Sequence, residues 1–317
     1  MVQENRVKRP HLLMICGPTA VGKSACAMAL AKEWGTEIVS ADSVQIYRGL
    51  NLGSAKPSAE EQAICRHHLI DIVDPDRSYS VAQYKADFET CVSRFFSNRI
   101  PIVCGGTGLY FNAILYEYDF ANAFDDGSVR AKWQKVADDR GKDVVFDELR
   151  RVDPESASIL SPNDLKRVIR ALEIFELTGK KKSDLAPKLT DRYAFTIIGL
   201  QKEREILYKQ INDRVLCMIR AGLVEEVAGL LQSGVDETCQ SMQAIGYKEI
   251  IAYLKGKIDK EQAIADIQQA SRRYAKRQIT WFKRMPGIHW LSAEDGDLVG
   301  KIESVYRQEE PSAEEEI

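Results

Sequence analysis

The sequence predicts an α/β protein: a parallel sheet flanked by helices around a phosphate-binding loop, with an inserted all-helical domain. Three observations carry this reading. Residues 17–24 read Gly-Pro-Thr-Ala-Val-Gly-Lys-Ser, the G-x-x-x-x-G-K-[ST] pattern, with an apolar run before it and an Ala-rich helix former after it. Over the first ~120 residues, short strand-like runs alternate with helical periodicity. From Asn122 to Asp191 the strand-like runs vanish and amphipathic helical patterns replace them.

Taken in order, Leu12–Cys16 is an apolar run of strand length and Lys23–Trp34 is helix-forming. Glu37–Ser40, His68–Val73 and Ile100–Cys104 are the next strands, and Ala59–Arg66 and Val81–Asn98 the helices between them. That rhythm implies an open parallel sheet, which binds ligands at the C-terminal ends of its strands. Three loops converge there: residues 17–24, Ala41-Asp42-Ser43, and Gly105-Gly106-Thr107-Gly108. Within the insertion, helices are expected at Ser128–Asp139, Val144–Val152 and Asn163–Thr178. Tyr193–Leu200 reads as a strand that resumes the sheet, and residues 203–233, 241–254 and 260–284 are helical by periodicity. The expected organisation is a discontinuous core, residues 1–121 and 192–317, around an insertion at 122–191. There is no internal repeat.

Composition narrows the function classes. The chain has 317 residues, 44% apolar and 29% charged, and no apolar stretch of membrane-spanning length. Met1–Pro10 lacks the apolar centre of a signal peptide. Seven cysteines, at 16, 26, 65, 91, 104, 217 and 239, form no C-x-x-C pair. They are expected to be reduced thiols in a cytoplasmic protein, and they argue against zinc. The net charge of −3 hides an asymmetry. Arg272, Arg273, Lys276, Arg277, Lys283 and Arg284 fall in a stretch with no acidic residue, and Lys166, Arg167 and Arg170 open a second basic region. Residues 308–317 form an acidic tail, expected to be disordered. Local basic patches suit a polyanionic partner whatever the total charge.

Several side chains carry candidate chemistry. In the phosphate loop, backbone N–H groups and the helix dipole attract an anion, Lys23 reaches the terminal phosphate and Ser24 offers a hydroxyl to Mg²⁺. Asp42, just past a strand end, has three readings: Mg²⁺ ligand, general base, or helix N-cap. Gly105–Gly108 marks a tight turn in which Thr107 presents a hydroxyl. Along Asn163–Thr178, Leu165, Val168, Ile169, Leu172 and Phe175 form one stripe, and Lys166, Arg167 and Arg170 another arc that is either solvated or grips a nucleic-acid backbone. Arg272–Arg284 interleaves cations with Tyr274, Trp281 and Phe282, a composition that suits unstacked bases and phosphates or, for the rings, a core. His67-His68 lacks partners at metal spacing and reads as structural.

Longer blocks then point to a family. Gly17–Ser24, Ser40-Ala-Asp-Ser-Val-Gln-Ile-Tyr-Arg-Gly-Leu-Asn-Leu-Gly-Ser-Ala-Lys-Pro57, His67-His-Leu-Ile-Asp-Ile-Val-Asp-Pro75 and Gly105-Gly-Thr-Gly-Leu-Tyr110 resemble the tRNA dimethylallyltransferase family. So do Asp164-Leu-Lys-Arg-Val-Ile-Arg-Ala-Leu-Glu173, Ala244-Ile-Gly-Tyr-Lys-Glu249 and Tyr274-Ala-Lys-Arg-Gln-Ile-Thr-Trp-Phe282. Ser24 stands where Thr is commoner in the family. The C-terminal Cys/His zinc finger of the eukaryotic members is absent, so the resemblance is to the bacterial form.

The resemblance implies transfer of a dimethylallyl group from dimethylallyl diphosphate to the exocyclic amine of adenosine 37 of tRNA, with Mg²⁺, no membrane, and a monomer as the working expectation. It implies that Gly17, Pro18, Thr19, Ala20, Val21, Gly22, Lys23, Ser24 and Arg214 hold the diphosphate, with Ser24 on the metal. Catalytic roles fall to Asp42 as base, with Thr19 and Lys23. It implies tRNA contacts at Asp42, Ser43, Val44 and Gln45, at Thr107 and Arg130, and at Lys166, Arg167, Val168, Ile169 and Arg170. Further contacts are implied at Gln243, Ala244, Ile245, Gly246, Tyr247 and Lys248. The last set is Lys276, Arg277, Gln278, Ile279, Thr280, Trp281, Phe282 and Lys283. A small-molecule P-loop kinase would explain the loop and sheet but leave both basic regions without a task. A GTPase would want an N-K-x-D motif, which is absent.

Overall fold

The computed structural model describes residues 9–117, 127–185 and 188–309. The strands are β1 (His11–Cys16), β2 (Ile38–Ala41), β3 (His67–His68), β4 (Ile102–Gly105), β5 (Tyr116–Glu117), β6 (Lys188–Leu189), β7 (Ala194–Gln201) and β8 (Ile288–Ser292). Six of them form a parallel sheet in the order β3-β2-β4-β1-β7-β8. β1 lies in the interior between β4 and β7, and Leu12 to Cys16 are fully buried. A strand covered on both faces has no polar side to present, which is why it reads as an unbroken apolar run.

The helices are α1 (Lys23–Trp34), α2 (Ala59–Ile64), α3 (Val81–Phe95), α4 (Gly108–Leu115), α5 (Ser128–Arg140), α6 (Lys142–Val152), α7 (Pro154–Ile159), α8 (Leu165–Thr178), α9 (Arg204–Arg220), α10 (Leu223–Gln232), α11 (Tyr247–Leu254), α12 (Lys260–Phe282) and α13 (Leu298–Glu309). α1 ends on left-handed Gly35, whose N–H caps the Ala31 carbonyl. Cys26, Ala27, Leu30 and Ala31 of α1 pack on Leu13, Ile15 and Ile102 of the sheet, together with Leu207, Ile211 and Ala275.

Several boundaries differ from the sequence reading, each for a local reason. The third strand stops after His68 because Leu69 and Asp71 take positive φ, 58° and 53°, which breaks the extended chain. Only a single bridge, Tyr47 to Val73, resumes the pairing. The periodic run 203–233 divides into α9 and α10 at Gly222, whose φ is 105°. β8 and α13 were not legible: β8 pairs at the sheet edge and is only half-buried, so it lacks a continuous apolar run. The end of the acidic tail, 310–317, lies outside the described residues, while Gln308 and Glu309 close α13.

Cα packing divides the chain into two units, residues 1–114 with 191–317, and residues 115–190. By packing the smaller unit begins at 115, the expected boundary at 122 lies outside the described residues, and the unit contains strand as well as helix. β5 pairs antiparallel with β6, Tyr116 opposite Leu189 and Glu117 opposite Lys188. Two-residue strands are too short for periodicity to reveal.

The smaller unit has its own core, in which Val145, Phe146, Leu149 and Val152 of α6 meet Val168, Ile169, Ala171 and Leu172 of α8. Asp153 ties this unit together. Its Oδ1 accepts from the Ser156 N–H at 3.0 Å, capping α7, and from Ser183 Oγ at 2.7 Å, while Oδ2 accepts from the Ser183 N–H at 3.1 Å. Burial opposes the charge, but these hydrogen bonds outweigh it and hold the carboxyl at about 2. A carboxyl depressed in the folded state stabilises above its unfolded pKa, and that stability is lost as pH falls through about 4 towards 2. Asp153→Ala is therefore expected to lower stability by about 2 kcal/mol at pH 7, with the deficit shrinking below pH 4, as read by denaturant titration at both pH values.

Candidate active site

Within the larger unit, three strand ends deliver three loops. After β1, Gly17 approaches β7 so closely that a Cβ would sit 2.6 Å from the Leu200 carbonyl oxygen. Gly22, at φ 110°, then turns the chain into α1, which starts at Lys23. Unpaired N–H groups of the first helical turn thus face the loop. Lys23 Nζ donates to the Pro18 carbonyl at 2.7 Å. Burial lowers the Lys23 pKa; nearby Arg214 pushes the same way, and Asp42 opposes it. Burial likewise lowers Arg214, again opposed by Asp42. Two desolvated cations whose charge is favoured by one nearby carboxylate make a site poised for an anion.

After β2, Asp42 Oδ1 accepts from the N–H of Val44 at 2.8 Å and of Gln45 at 3.3 Å. Residues 43–46 form a turn and not a helix. The carboxylate therefore closes an Asx-type turn, and the helix-cap reading gives way to it. After β4, Thr107 Oγ1 accepts from the Ser43 N–H at 3.0 Å, and the Thr107 N–H donates to the Ala41 carbonyl at 3.1 Å. Gly105 permits this approach, because a Cβ there would lie 2.2 Å from the Ala41 oxygen.

α12 crosses this assembly with one face. The Tyr274 hydroxyl donates to the Gly106 carbonyl at 3.3 Å, Gln278 binds both Gly106 and the Thr19 N–H, and Trp281 fills the space that Gly108 leaves. Phe282 meets Phe111 edge-on at 5.4 Å. The other face carries Arg273 and Lys276, and Lys283 and Arg284 follow in the turn after the helix, all four exposed.

Two cavities open beside the loops. One, of 290 Å³, is lined by Gly22, Lys23, Ser24, Gln210 and Arg214 among others. The second, of 360 Å³, includes Thr19, Asp42, Gly246, Lys248, Tyr274 and Arg277. Ala20 and Arg214 line both. Val44, Ile211, Val215, Met218, Ile245 and Ile267 give the second an apolar stretch. The Ser24 hydroxyl on the first cavity fits the habit of Mg²⁺, which takes one or two protein oxygens and completes its shell with phosphate and water. Among the described residues no group of three or more His, Cys, Asp or Glu could hold a metal by itself.

Residues 45–285 match the IPP transferase family model. The chain belongs to the IPP transferase family. It is 44% identical over 292 residues to a tRNA dimethylallyltransferase of Alkaliphilus oremlandii, covering 91% of this chain and 93% of the relative. A Bacillus mycoides protein of the same name is 43% identical over 299 residues, covering 93% and 94%. The crystal structure of a tRNA isopentenylpyrophosphate transferase from Bacillus halodurans superposes with a TM-score of 0.70 at 39% identity, covering 95% of each chain. A eukaryotic dimethylallyltransferase captured acting on tRNA superposes with a TM-score of 0.76 at 29% identity, covering 90% of this chain and 74% of that one.

For an IPP transferase, three groups stand out among the residues named from sequence. Thr19, Ala20, Gly22 to Ser24, Asp42, Ser43, Val44, Arg214, Gln243 to Gly246, Lys248 and Arg277 line the cavities, whereas Val21 is buried in the core. A second group, implied as RNA contacts by the resemblance, is buried or engaged within the fold. Val168, Tyr247 and Phe282 are 0% exposed and Ile169 and Gln278 are 5%, so they pack the interior. Gln45 is also occupied, accepting from Ser40 Oγ at 3.0 Å and donating to the Ala55 carbonyl at 3.2 Å. Phe282 is buried, and Tyr274 and Trp281 are half-buried against Gly106 and Gly108, so the fully exposed part of this basic-aromatic interleaving is cationic. Third, Arg130, Lys166, Arg167 and Arg170 belong to the smaller unit. Arg130 Nε reaches Glu173 Oε1 at 2.5 Å, and Arg170 Nη1 also pairs with this fully buried carboxylate. Lys166 and Arg167 are exposed, Arg167 beside Asp164 at 3.3 Å.

Other contributors escaped the sequence reading. Glu226 accepts from the N–H of Asn51 at 3.2 Å and of Leu52 at 2.8 Å, and from the Tyr247 hydroxyl at 2.7 Å. It shapes the stretch that presents Gly53 and Ser54 to the cavity, with no spacing signal to betray it. Gln210 and Ile211 were legible only as neighbours of Arg214 one turn along α9. His67 and His68 are structural: His67 Nδ1 bonds the Cys65 carbonyl at 2.9 Å and His68 Nε2 pairs with Glu37 at 2.6 Å.

Proposed function

We propose that this chain transfers the dimethylallyl group of dimethylallyl diphosphate to the exocyclic amine of adenosine 37 of tRNA, releasing diphosphate. The supporting observation is the pair of cavities that share Ala20 and Arg214 in their linings, with Lys23 and Ser24 on one and Asp42 on the other. The loop N–H groups, Lys23 and Arg214 bind the diphosphate and stabilise its charge as the allylic C–O bond breaks. Ser24 would hold Mg²⁺, which when bound would supply further charge neutralisation to the leaving group. The apolar stretch beside Asp42 suits the prenyl chain and excludes water from its cation-like carbon. The amine nitrogen forms the new C–N bond, and Asp42 takes its proton, leaving N6-dimethylallyladenosine and diphosphate. The adenine leaves its stack to reach this depth. Seven free thiols, five of them buried, suit a reducing compartment, and we place the enzyme in the cytoplasm. No helix among the described residues is long and apolar enough to cross a membrane.

A titration tests the donor. Dimethylallyl diphosphate with Mg²⁺ is expected to displace inorganic diphosphate from the loop, and ATP or GTP to compete poorly. Tight ATP binding with no affinity for the prenyl donor would favour a kinase. The RNA half has its own test. Because Arg130 and Arg170 balance buried Glu173, reversing them would disturb the fold, so Lys166 and Arg167 are the informative sites. Lys166→Glu with Arg167→Glu is expected to weaken tRNA binding by roughly tenfold or more. The log Kd against log salt slope should flatten by about 1 to 2, with donor affinity retained. Unchanged affinity and slope would remove this helix from the RNA surface.

A further inference from the structure

We propose that Gln278 is a positioning residue for the transfer: its side-chain amide locks the phosphate loop to the loop after β4 and so fixes the donor relative to Asp42. This rests on the reading that residues 17–24 hold the diphosphate. Gln278 lies on the inward face of α12 and is buried. Its Oε1 accepts from the Thr19 N–H at 2.8 Å, and its Nε2 donates to the Gly106 carbonyl at 2.9 Å. A backbone N–H can only donate and a backbone carbonyl can only accept, so the amide has a single orientation that serves both. Ionised Glu has two acceptors, and Leu or Met offers neither role, so only an amide of this length closes the bridge.

The bridge has two consequences. The Thr19 N–H is committed to Gln278, so the diphosphate cradle is formed by the later N–H groups of the loop with Lys23 and Arg214. Thr19 itself is then a fixed post of the loop. The second consequence concerns the acceptor side. Gly106 is followed by Thr107, which bonds the Ala41 carbonyl and the Ser43 N–H on either side of Asp42. Hydrogen bonds and the Gly106–Thr107 peptide bond therefore link Thr19, Gln278, Gly106, Thr107 and Ser43, from the donor loop to the residue beside the base. Gly106 is fitted to it, since a Cβ there would lie 2.3 Å from Gln278 Nε2. Small displacements between a donor carbon and an accepting group cost about 100-fold in rate.

The test compares the wild-type chain, Gln278→Ala, Gly106→Ala and the double variant. Gly106→Ala pushes the amide aside without removing it, so it attacks the same bridge from the other end. Each variant is read by dimethylallyl diphosphate affinity with Mg²⁺, tRNA affinity, and single-turnover rate at saturating donor. Each single variant is expected to weaken donor binding about tenfold and slow the step about 100-fold, with tRNA affinity within about twofold. The double variant is expected to be no worse than the weaker single, because both remove one bridge. Donor affinity and rate within about twofold of wild type in either folded variant would overturn the proposal. Effects that multiply, or donor and tRNA affinities that fall together, would also overturn it. If Gln278→Ala does not fold, Gly106→Ala alone decides. A wild-type chain that binds no dimethylallyl diphosphate would overturn the proposed function itself, an outcome distinct from variants that match a binding-competent wild type.

Discussion

Asp42→Asn is expected to lower the single-turnover rate by about 100- to 10,000-fold, the range for removal of a general base. The substitution is clean for a structural reason. An Asn side-chain oxygen can accept the same two hydrogen bonds from Val44 and Gln45 that Asp42 Oδ1 accepts, so the turn survives. What is lost is the capacity to take a proton. Donor affinity with Mg²⁺ should change little. A Mg²⁺ ligand would instead show a fall in apparent Mg²⁺ affinity with weaker donor binding. A residue that only closes the turn would leave the rate intact. One variant, read by rate, donor affinity and Mg²⁺ dependence, separates the three.

Lys23→Ala is expected to cost about 100- to 1000-fold in turnover, comparable to deleting one preorganised donor to a developing anion. Lys23 opens α1 at the end of the loop, so its charge adds to that of the helix terminus. Its lowered pKa, caused chiefly by burial, adds a pH signature. A cation with a depressed pKa loses its proton below the ordinary lysine range of about 10.4. In the wild-type chain kcat/KM should therefore begin to fall on the alkaline side before that range. The alkaline limb should disappear from the residual activity of Lys23→Ala. Near-normal turnover in the variant would remove residues 17–24 from the diphosphate site.

The parts of this site that were legible in the sequence are those whose physics is local. The loop from Gly17 to Ser24 makes its anion cradle within a single strand-turn-helix, so its spacing alone announces it. Asp42 and Thr107 were legible as residues just past strand ends, because a parallel sheet collects such ends on one side. Roles that depend on distant packing were not legible. Gln278 looked like part of a basic stretch, because nothing local distinguishes the inward face of α12, and its partners are 259 and 172 residues away. Val168 and Ile169 sit between cations in sequence and were drawn into the RNA set, whereas helical geometry turns them into the α6–α8 core. Glu226 holds backbone about 175 residues away, and a lone glutamate on a helix carries no mark of that. In the fold, the missed pieces were the shortest or most marginal. β5 and β6 are two residues each, and β8 is a half-buried edge.

The most direct measurement is transfer itself. The wild-type chain is incubated with Mg²⁺, dimethylallyl diphosphate labelled in the prenyl carbon, and an anticodon stem-loop carrying adenosine at position 37. A matched stem-loop with inosine there serves as the control without an exocyclic amine. The expected result is label in the adenosine-bearing RNA, one diphosphate released per group transferred, and no label in the inosine control. Absence of label from the adenosine RNA, or equal labelling of both, would contradict the assignment of the Lys23 and Asp42 cavities as one prenyl-transfer site.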